Sequence, residues 1–383
     1  MCHSSAPVRQ GSSAPWGRLT GVQVDGSLAV GFAPVGEAFA EVVAGQVGTG
    51  AAVAAWREGR WVVDLWAGRA DAAGLRVWQA DSIVQPYSVS KPFVAVCALV
   101  LAGRGLLDLD APVQRYWPQF RAPATVRHVL SHQAGVVALD RPAPTEVFYD
   151  WDAMCARLAD QEPSWAPGTW HGESALFYGH LVGEVIRRVD GRLPGRFLRE
   201  EVCGPLGLDF QFGLPDVDQP RAVEITGLPE HEGMQRREHG EDALYWRALD
   251  NPPGSREPSV VNSAAWRAAE IPAINGHGTA RGIAGLYAAL LNEELLSPAL
   301  LDEAITAHCS GVDAVMGQQT TWGLGFGVDP DGFGMGGLGG SWAGASTEGG
   351  YAFCFVTGTM GDHDRATRVE NAFRSCIGLR PLH

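Results

Sequence analysis

The spacing of apolar positions changes along the chain, from strand-like near the two ends to helix-like in the middle. Near the N-terminus, apolar runs at residues 50–56 and 61–66 flank the polar segment Arg57–Arg60, whose glycine suits a short turn. This arrangement predicts a β-hairpin. Near the C-terminus, Thr321–Val328 and Tyr351–Met360 have the pattern of strands around a glycine-rich segment. Both ends are therefore expected to contribute to a sheet.

Apolar residues at intervals of three and four dominate the rest of the chain and predict helices. The helical patterns are Glu37–Val47, Ser88–Gly103, Leu181–Val189, Arg196–Val202, Gly282–Asn292, Pro298–His308 and Asp362–Cys376. Pro92 is compatible with a helix that begins at Ser88 because proline is tolerated in the first turn. Strands at both ends and helices between them predict an α+β fold with an inserted all-helical domain.

This order of elements predicts a division of the chain into regions. Residues 1–20 are rich in Ser, Gly and Pro and are expected to form a flexible arm. Residues 21–95 and 265–383 are expected to supply the sheet domain, and residues 96–264 the mainly helical insert. Within the insert, the charge-rich segment 229–258 is predicted to be a solvated loop that could cover a cleft.

Composition narrows the classes of partner. The net charge of −14 and the pI near 5.2 argue against nucleic acid and anionic membrane surfaces. No stretch approaches the roughly 20 apolar residues of a membrane span, and the N-terminal residues lack the apolar region of a signal peptide. Seven scattered cysteines without a C-x-x-C pair predict reduced thiols and a cytoplasmic protein. The sequence leaves the oligomeric state open.

Lysine occurs once among the 29 basic residues of the chain, at Lys91. A surface charge can be either basic residue, but a proton acceptor cannot be arginine, because guanidinium keeps its proton. Lys91 lies three residues after Ser88, so that a helix places both on one face. Burial can lower the pKa of an amine from about 10.4 toward neutrality. The pattern therefore predicts Ser88 as a nucleophile and Lys91 as its base, although a single lysine can also arise from compositional bias.

Five segments around and after Ser88 form an ordered series: Gln85–Phe93, Thr125–Gly135, Trp165–Thr169, Leu181–Arg188 and Gly204–Asp209. Together they resemble the serine β-lactamase-like superfamily, and especially its class C β-lactamase-related esterases and acyltransferases. The resemblance covers most of residues 25–360. It implies a β-lactamase/transpeptidase-like fold with an antiparallel sheet flanked by helices. It also implies that Ser88 attacks a carbonyl, Lys91 takes its proton, and the N–H groups of Ser88 and Leu338 bind the oxyanion.

The chain departs from the family pattern at two side chains of the expected site. The family places a tyrosine a few residues after its Pro-Gly-Thr segment, where this chain has Glu173. The late-strand motif, Lys-Thr-Gly or His-x-Gly in the family, is here Met335-Gly336-Gly337. The resemblance places Met335 and Gly337 beside Leu338 in the oxyanion and substrate site. Methionine cannot bind a carboxylate, which argues against β-lactam and D-Ala-D-Ala substrates.

Glu173 has two interpretations. A carboxylate beside Lys91 could share a proton with it and act as a second base, because strongly coupled groups titrate as a pair. An ionised carboxylate would instead keep Lys91 protonated, and Glu173 would then be a rim residue of an altered site. We favour the first interpretation, because a buried unpaired carboxylate is unfavourable and Lys91 is its natural partner.

Three other patterns predict no chemistry. The G-x-G-x-x-G match at Gly334–Gly339 lacks a following helix and predicts no dinucleotide site. Asp362-His363-Asp364 is explained by a helix N-terminus, so that no metal or other cofactor is expected. His132 lies in a helix–turn segment and is expected to be structural.

The sequence therefore predicts a cytoplasmic serine acyl-transfer enzyme that acts on a small molecule. It would be a biosynthetic transacylase, for example in antibiotic biosynthesis, or an esterase. Its partners would be an acyl donor and an amine or alcohol acceptor, without nucleic acid or membrane. Two alternatives stay open: a non-catalytic binding or scaffold protein on a decayed fold, and a β-lactam or D-Ala-D-Ala hydrolase.

Overall fold

A large antiparallel sheet forms the frame of the protein. The computed structural model describes residues 17–19, 21–240 and 243–382. Its strands are β1 (Gly17–Leu19), β2 (Val22–Leu28), β3 (Ala51–Arg57), β4 (Arg60–Ala67), β5 (Phe210–Gln211), β6 (His277–Gly278), β7 (Cys309–Val312), β8 (Gln319–Trp322), β9 (Gly327–Asp329), β10 (Gly332–Gly337), β11 (Ser341–Ser346) and β12 (Tyr351–Thr357). In the described residues the main sheet has the order β1-β2-β4-β3-β12-β11-β10-β9-β8-β7, while β5 and β6 form a separate pair.

The two ends of the chain meet in the middle of the main sheet. β3 pairs antiparallel with β12, with Ala54 opposite Cys354. β3 and β4 form the predicted hairpin around Glu58 and Gly59, which both have positive φ angles. The expected α+β fold with a sheet from both termini is therefore confirmed. The domain limits at residues 95/96 and 264/265 stay a prediction.

Helices cover both faces of this sheet and fill the middle of the chain. They are α1 (Ala33–Ala44), α2 (Lys91–Gly103), α3 (Val126–Leu130), α4 (Trp151–Asp160), α5 (Tyr178–Asp190), α6 (Pro194–Leu198), α7 (Gly204–Leu206), α8 (Leu228–His239), α9 (Ala243–Asp250), α10 (Pro258–Val261), α11 (Ala264–Ala268), α12 (Ala280–Leu291), α13 (Pro298–Ile305) and α14 (Asp364–Cys376). Short 3-10 turns lie at Tyr87–Ser90, Val113–Arg115, Thr145–Tyr149 and Gln219–Arg221, and a π-helical turn at Arg199–Cys203. None of these described helices has the length and apolarity that a membrane crossing requires.

Two apolar layers hold the sheet between the helices. One layer packs α1 and α14 against β3, β4 and β12 through Phe39, Phe355 and Phe373. The other joins the opposite face to α12 and to the central helix α2. Every residue of α2 from Lys91 to Leu101 is buried. A helix that is apolar on all sides belongs in a core, and this one carries its single amine into the interior.

The glycine-rich segment 332–350 forms two central strands, β10 and β11. Met335-Gly336-Gly337 lies in β10, as the late-strand motif of the resembled family implied, whereas β11 was not predicted. A Cβ atom on Gly332 would lie 1.9 Å from the carbonyl oxygen of Ala345, so that only glycine allows this strand approach. The prediction of one strand at Thr321–Val328 was wrong. That segment contains the end of β8 and the start of β9, separated by a bend at Gly325, where φ is +93°.

The charge-rich segment 229–258 is mostly helical, with bends and turns at residues 251–257, which corrects the prediction of a solvated loop. It contains most of α8, all of α9 and the first residue of α10. The helices of this segment could not be predicted from apolar spacing, because inward-facing residues such as His231 and Gln235 are polar. In the predicted N-terminal arm, β1 pairs with β2, which corrects the prediction at Gly17–Leu19. Residues 1–16 and 20 lie outside the described residues.

Candidate active site

Ser88 lies in the 3-10 turn Tyr87–Ser90, which leads directly into α2. The regular helix therefore begins at Lys91 and not at Ser88 as predicted. Tyr87 has φ +49°, a left-handed conformation that is strained for an aromatic residue and costs about 1–3 kcal/mol. Its hydroxyl donates a hydrogen bond to the Ser255 carbonyl at 3.2 Å, and its ring is buried. This anchored bend presents the half-buried Ser88 to a cavity.

The amine of Lys91 lies fully inside the protein and is held at fixed distances. Its Nζ is 2.7 Å from Ser88 Oγ and donates to the carbonyl oxygens of Ala175 at 3.1 Å and Ala273 at 3.3 Å. Burial lowers the pKa of Lys91, and the charge and hydrogen bond of Glu173 oppose this shift without cancelling it. The structure thus places the amine where it can exchange a proton with the Ser88 hydroxyl.

Glu173 completes a triangle with Ser88 and Lys91. Its Oε1 lies 2.9 Å from Lys91 Nζ and accepts a hydrogen bond from Ser88 Oγ at 3.2 Å. Burial alone would raise the pKa of Glu173. The charge of Lys91, the neighbouring His132 and the hydrogen bonds from Lys91 and Ser88 hold it below its ordinary value. The carboxylate is therefore ionised beside the hydroxyl, and it is 7% exposed, which is not the environment of a solvated rim residue.

Above the triangle lies a cavity of 380 Å³ to which α8 contributes one face. His231, Gln235 and Glu238 follow each other at helical spacing on α8, and all three line the cavity. These three residues were not predicted as site residues, because the polar sequence of α8 has the composition of a solvated loop. Trp322 and Trp342 line the cavity as well, together with other apolar groups. The cavity is therefore lined by a polar face of α8 on one side and by aromatic side chains elsewhere.

The end of β10 lies against the nucleophile segment. A Cβ atom on Gly337 would lie 2.0 Å from the carbonyl oxygen of Pro86, so that the two backbones touch at this point. Leu338 follows in the turn after β10 and lines the same cavity as Ser88, and so does the buried Met335. The oxyanion hole formed by the N–H groups of Ser88 and Leu338 stays a prediction, and this close approach is consistent with it.

The close approach at Gly337 predicts the effect of a single added methyl group. We expect Gly337→Ala to lower the free energy of unfolding by about 1–3 kcal/mol and kcat by about tenfold, because β10 must move away from Ser88. Urea unfolding and initial rates with p-nitrophenyl butyrate measure the two effects. Gly45→Ala is the control, because its Cβ would meet no atom closer than 3.7 Å. An unchanged kcat in Gly337→Ala would contradict the proposed role of the turn.

The structure shows where the sequence patterns that predicted no chemistry lie relative to the cavity. Asp362 and His363 border the cavity just before α14, and a Cβ atom on Gly336 would lie 2.9 Å from His363 Nε2. In the described part of the chain no group of three or more His, Cys, Asp or Glu side chains is arranged to hold a metal ion. His132 packs beside Trp322 and lies close to Glu173, nearer to the site than its sequence context indicated.

Comparisons with known proteins agree with this geometry. The beta-lactamase family model matches residues 36–374. The chain is 36% identical over 292 residues to the esterase/beta-lactamase LipL of Mycobacterium tuberculosis, covering 71% of this chain and 65% of that protein. It is 27% identical over 199 residues to monacolin J acid methylbutanoyltransferase of Aspergillus terreus, covering 44% and 47% of the two chains. A solved family VIII carboxylesterase superposes with a TM-score of 0.84 and 35% identity, covering 92% of this chain and 99% of that structure.

These matches confirm the resemblance inferred from the ordered segments. The chain spans slightly less than two thirds of the length of LipL and about half of the acyltransferase. The family match nevertheless includes the nucleophile turn, the Glu173 segment and the glycine-rich strands. From the family match and the shared fold we conclude that the chain belongs to the beta-lactamase family.

Proposed function

We propose that this protein is a serine-dependent acyl-transfer enzyme that forms an acyl-enzyme on Ser88. The observation that carries the proposal is the triangle of Ser88 Oγ, Lys91 Nζ and Glu173 Oε1 at distances of 2.7, 2.9 and 3.2 Å. A serine hydroxyl becomes nucleophilic when a positioned base removes its proton, and this triangle offers two adjacent bases. The cavity above it is large enough for a small-molecule substrate.

In the proposed first half-reaction, Ser88 Oγ attacks the carbonyl carbon of an ester. Its proton passes to the Lys91–Glu173 pair, either to Glu173 directly or to Lys91 after Lys91 has given a proton to Glu173. The N–H groups of Ser88 and Leu338 stabilise the oxyanion. When the carbon–oxygen bond of the ester breaks, the pair returns the proton to the leaving alkoxide, and the acyl group remains on Ser88.

In the second half-reaction, water or an acceptor replaces the leaving group in the cavity. The Lys91–Glu173 pair removes a proton from the water, amine or alcohol as it attacks the acyl carbon. The tetrahedral intermediate then releases Ser88 Oγ, which regains its proton from the pair. Water produces a carboxylic acid, whereas an amine or alcohol produces an amide or a new ester. The same residues thus serve an esterase and a transacylase.

The lining of the cavity supports an uncharged acyl group. None of the described residues that line the cavity is lysine or arginine. Met335 occupies the position at which the resemblance to the family implies a carboxylate-binding residue. A carboxylate-bearing β-lactam or D-Ala-D-Ala substrate would therefore lack a cationic partner in the cavity. Trp322, Trp342 and Met316 instead offer apolar contacts. We infer a small apolar acyl group carried on an oxygen leaving group.

Similarity to an acyltransferase supports transfer to an acceptor, as similarity to LipL supports ester cleavage. Monacolin J acid methylbutanoyltransferase is named for the transfer of a methylbutanoyl group to monacolin J acid, and nearly half of this chain aligns with it. We infer that this chain is a biosynthetic transacylase that passes its acyl group to an amine or alcohol.

Formation of the acyl-enzyme is tested by intact mass spectrometry of the full chain after incubation with a fluorophosphonate or p-nitrophenyl butyrate. We expect one adduct, and fragmentation of the labelled peptide should assign it to Ser88. Ser90→Ala is the matched control, because Ser90 is fully buried and accepts a hydrogen bond from the Gly276 N–H. This variant should label like the natural chain. Absence of any adduct would support a non-catalytic binding or scaffold protein.

Transacylation makes a separate prediction about products. With p-nitrophenyl butyrate and a primary amine such as butylamine or an alcohol such as butanol, we expect the amide or ester to form alongside or instead of butyric acid. Release of p-nitrophenol should also accelerate with acceptor concentration if deacylation is rate-limiting. Mass spectrometry of the products separates the outcomes. If butyric acid is the sole product with a panel of amines and alcohols, the enzyme is an esterase.

A further inference from the structure

Glu173 is held by its main chain as well as by its side chain. Three successive N–H groups of its segment are bound by only two residues. Gly172 N–H donates to the His132 carbonyl at 3.1 Å, and Ser174 N–H donates to His132 Nδ1 at 3.2 Å. Between them, Glu173 N–H donates to Asp313 Oδ1 and Oδ2 at 3.1 and 3.0 Å. The backbone that carries the proposed second base is therefore held by hydrogen bonds to both residues, His132 and Asp313.

Asp313 is a fully buried carboxylate whose partners come from three parts of the chain. Besides Glu173 N–H, it accepts hydrogen bonds from the N–H groups of Val315 and Met316, both at 2.9 Å. The Trp322 indole also donates to it at 3.4 Å. These donors belong to the turn after β7 and to β8. Asp313 thus connects the Glu173 segment to the sheet, and a buried carboxylate without such donors would be strongly unfavourable.

His132, the second residue that binds this segment, has an unusual backbone conformation. Its φ of +59° is left-handed, and its ring packs against Tyr178 and Trp322 at centroid distances of 4.6 and 4.4 Å. Burial lowers the pKa of His132 to about 3, so that the ring is neutral at ordinary pH. Because Nδ1 accepts the hydrogen bond from Ser174 N–H, the ring proton lies on Nε2.

A glutamate needs more support than the tyrosine that it replaces in the family pattern. Tyrosine has two side-chain torsions before a rigid ring, whereas glutamate has three before its carboxylate. A displacement of about 1 Å at a reacting group can lower a rate by roughly 100-fold. We propose that Asp313 and His132 are positioning residues that hold the Gly172–Ser174 main chain so that the Glu173 carboxylate reaches Ser88 and Lys91 together. This inference rests on the proposed function.

The charged and titratable groups that face Glu173 define the electrostatic part of the test. They are Lys91 from α2, His132 from the turn after α3, Asp313 from the turn after β7, and Tyr245 from α9. Burial and the charge of Glu173 raise the pKa of Asp313, whereas the pKa of Glu173 is lowered. As the pH falls, Asp313 therefore takes up a proton first, and its hydrogen bonds to the N–H groups weaken. Asp313→Asn removes this titration and leaves that of Glu173, so that the acid limb of the pH–rate profile should move to lower pH.

The test is a double-mutant cycle with Asp313→Asn and Glu173→Gln in the full chain. Asparagine keeps the shape of Asp313 but turns an NH₂ group toward some of its N–H donors. The hydrogen bonds that hold the Glu173 segment are therefore weakened. We expect Asp313→Asn to lower kcat for p-nitrophenyl butyrate by about tenfold, with KM within about threefold and the acid limb shifted down. In the Glu173→Gln background it should cause no further loss. The same fold loss in both backgrounds, or an unshifted acid limb, overturns the inference.

Two more variants separate positioning from stability. Glu184→Gln alters another fully buried carboxylate, which binds Trp151, Arg187 and Arg188, and it should lower Tm while kcat stays unchanged. If Asp313→Asn does not fold, His132→Asn enters the same cycle, because asparagine tolerates a left-handed backbone. The Ser88 adduct of the natural chain is measured first. If the Ser88 adduct does not form, the proposed function is wrong. If the adduct forms but the effects of Asp313→Asn and Glu173→Gln are additive, only this inference is wrong.

Discussion

Replacement of Lys91 by arginine is expected to lower kcat/KM for p-nitrophenyl butyrate by about 1,000-fold. Arginine keeps the positive charge next to Glu173, but its guanidinium cannot release a proton at any working pH. General acid–base catalysis contributes about 10²–10⁴-fold, and loss of Nζ also breaks the 2.7 Å contact with Ser88 Oγ. Initial rates, together with the rate of adduct formation by intact mass, measure the effect at the acylation step.

The size of arginine in a fully buried position requires a companion variant. Lys91→Met has a similar length and no charge, so that it tests packing without the amine. Melting temperatures of both variants show whether the fold is kept. We expect both to be inactive while they remain folded. Retention of activity within about tenfold in Lys91→Arg, with loss in Lys91→Met, would show that Lys91 acts as a fixed charge and that Glu173 alone accepts the proton.

Replacement of Glu173 by glutamine is expected to lower kcat by about 100-fold with little change in KM. Glutamine keeps the shape of the side chain but cannot take up a proton. The two hypotheses for Glu173 predict opposite signs. Without the carboxylate, the influence that raises the pKa of Lys91 is lost, and the amine becomes more often neutral. If Lys91 were the sole base, activity at neutral pH would therefore be kept or would increase, and Glu173 would not be part of the base.

The same substitution should change how stability depends on pH. The pKa of Glu173 is lower in the folded protein than its ordinary value of about 4.3. Its contribution to stability is therefore present above about pH 4.3 and is lost as the pH falls through the lower, folded-state value. Glu173→Gln should flatten this part of the acid dependence, and urea unfolding at several acidic pH values measures it. An identical acid dependence in the variant would mean that Glu173 is not ionised in the folded state.

The sequence was sufficient to predict the triangle because its members carry local signals. Ser88 and Lys91 have helical spacing, and Glu173 occupies the position after the Pro-Gly-Thr segment at which the resemblance implies a tyrosine. Both signals lie within a few residues of the side chains concerned. The strands of the hairpin and the buried helix α2 were predictable for the same reason, since apolar spacing reports local structure directly.

The support of Glu173 could not be predicted, because it joins residues that are far apart in the chain. Asp313 and His132 approach the Glu173 segment from 140 and 42 residues away, and neither lies in a motif that names its partner. Helix α8 was not predicted, because its inward-facing residues are polar and give no apolar spacing. Strand β11 was not predicted, because glycine normally indicates a turn, whereas here it allows close carbonyl contacts. Strand β10 was expected only through the late-strand motif of the resembled family.

Because Lys91 is the single lysine of the chain, its amine can be observed selectively by NMR spectroscopy. Protein grown with ¹³C- or ¹⁵N-labelled lysine would contain one labelled side chain, in direct contact with the nucleophile. Its NMR signal could be followed through a pH titration without assignment by mutagenesis, and again after Ser88 has been acylated. The protonation of the proposed base could thus be observed in the natural sequence with a single labelled amino acid.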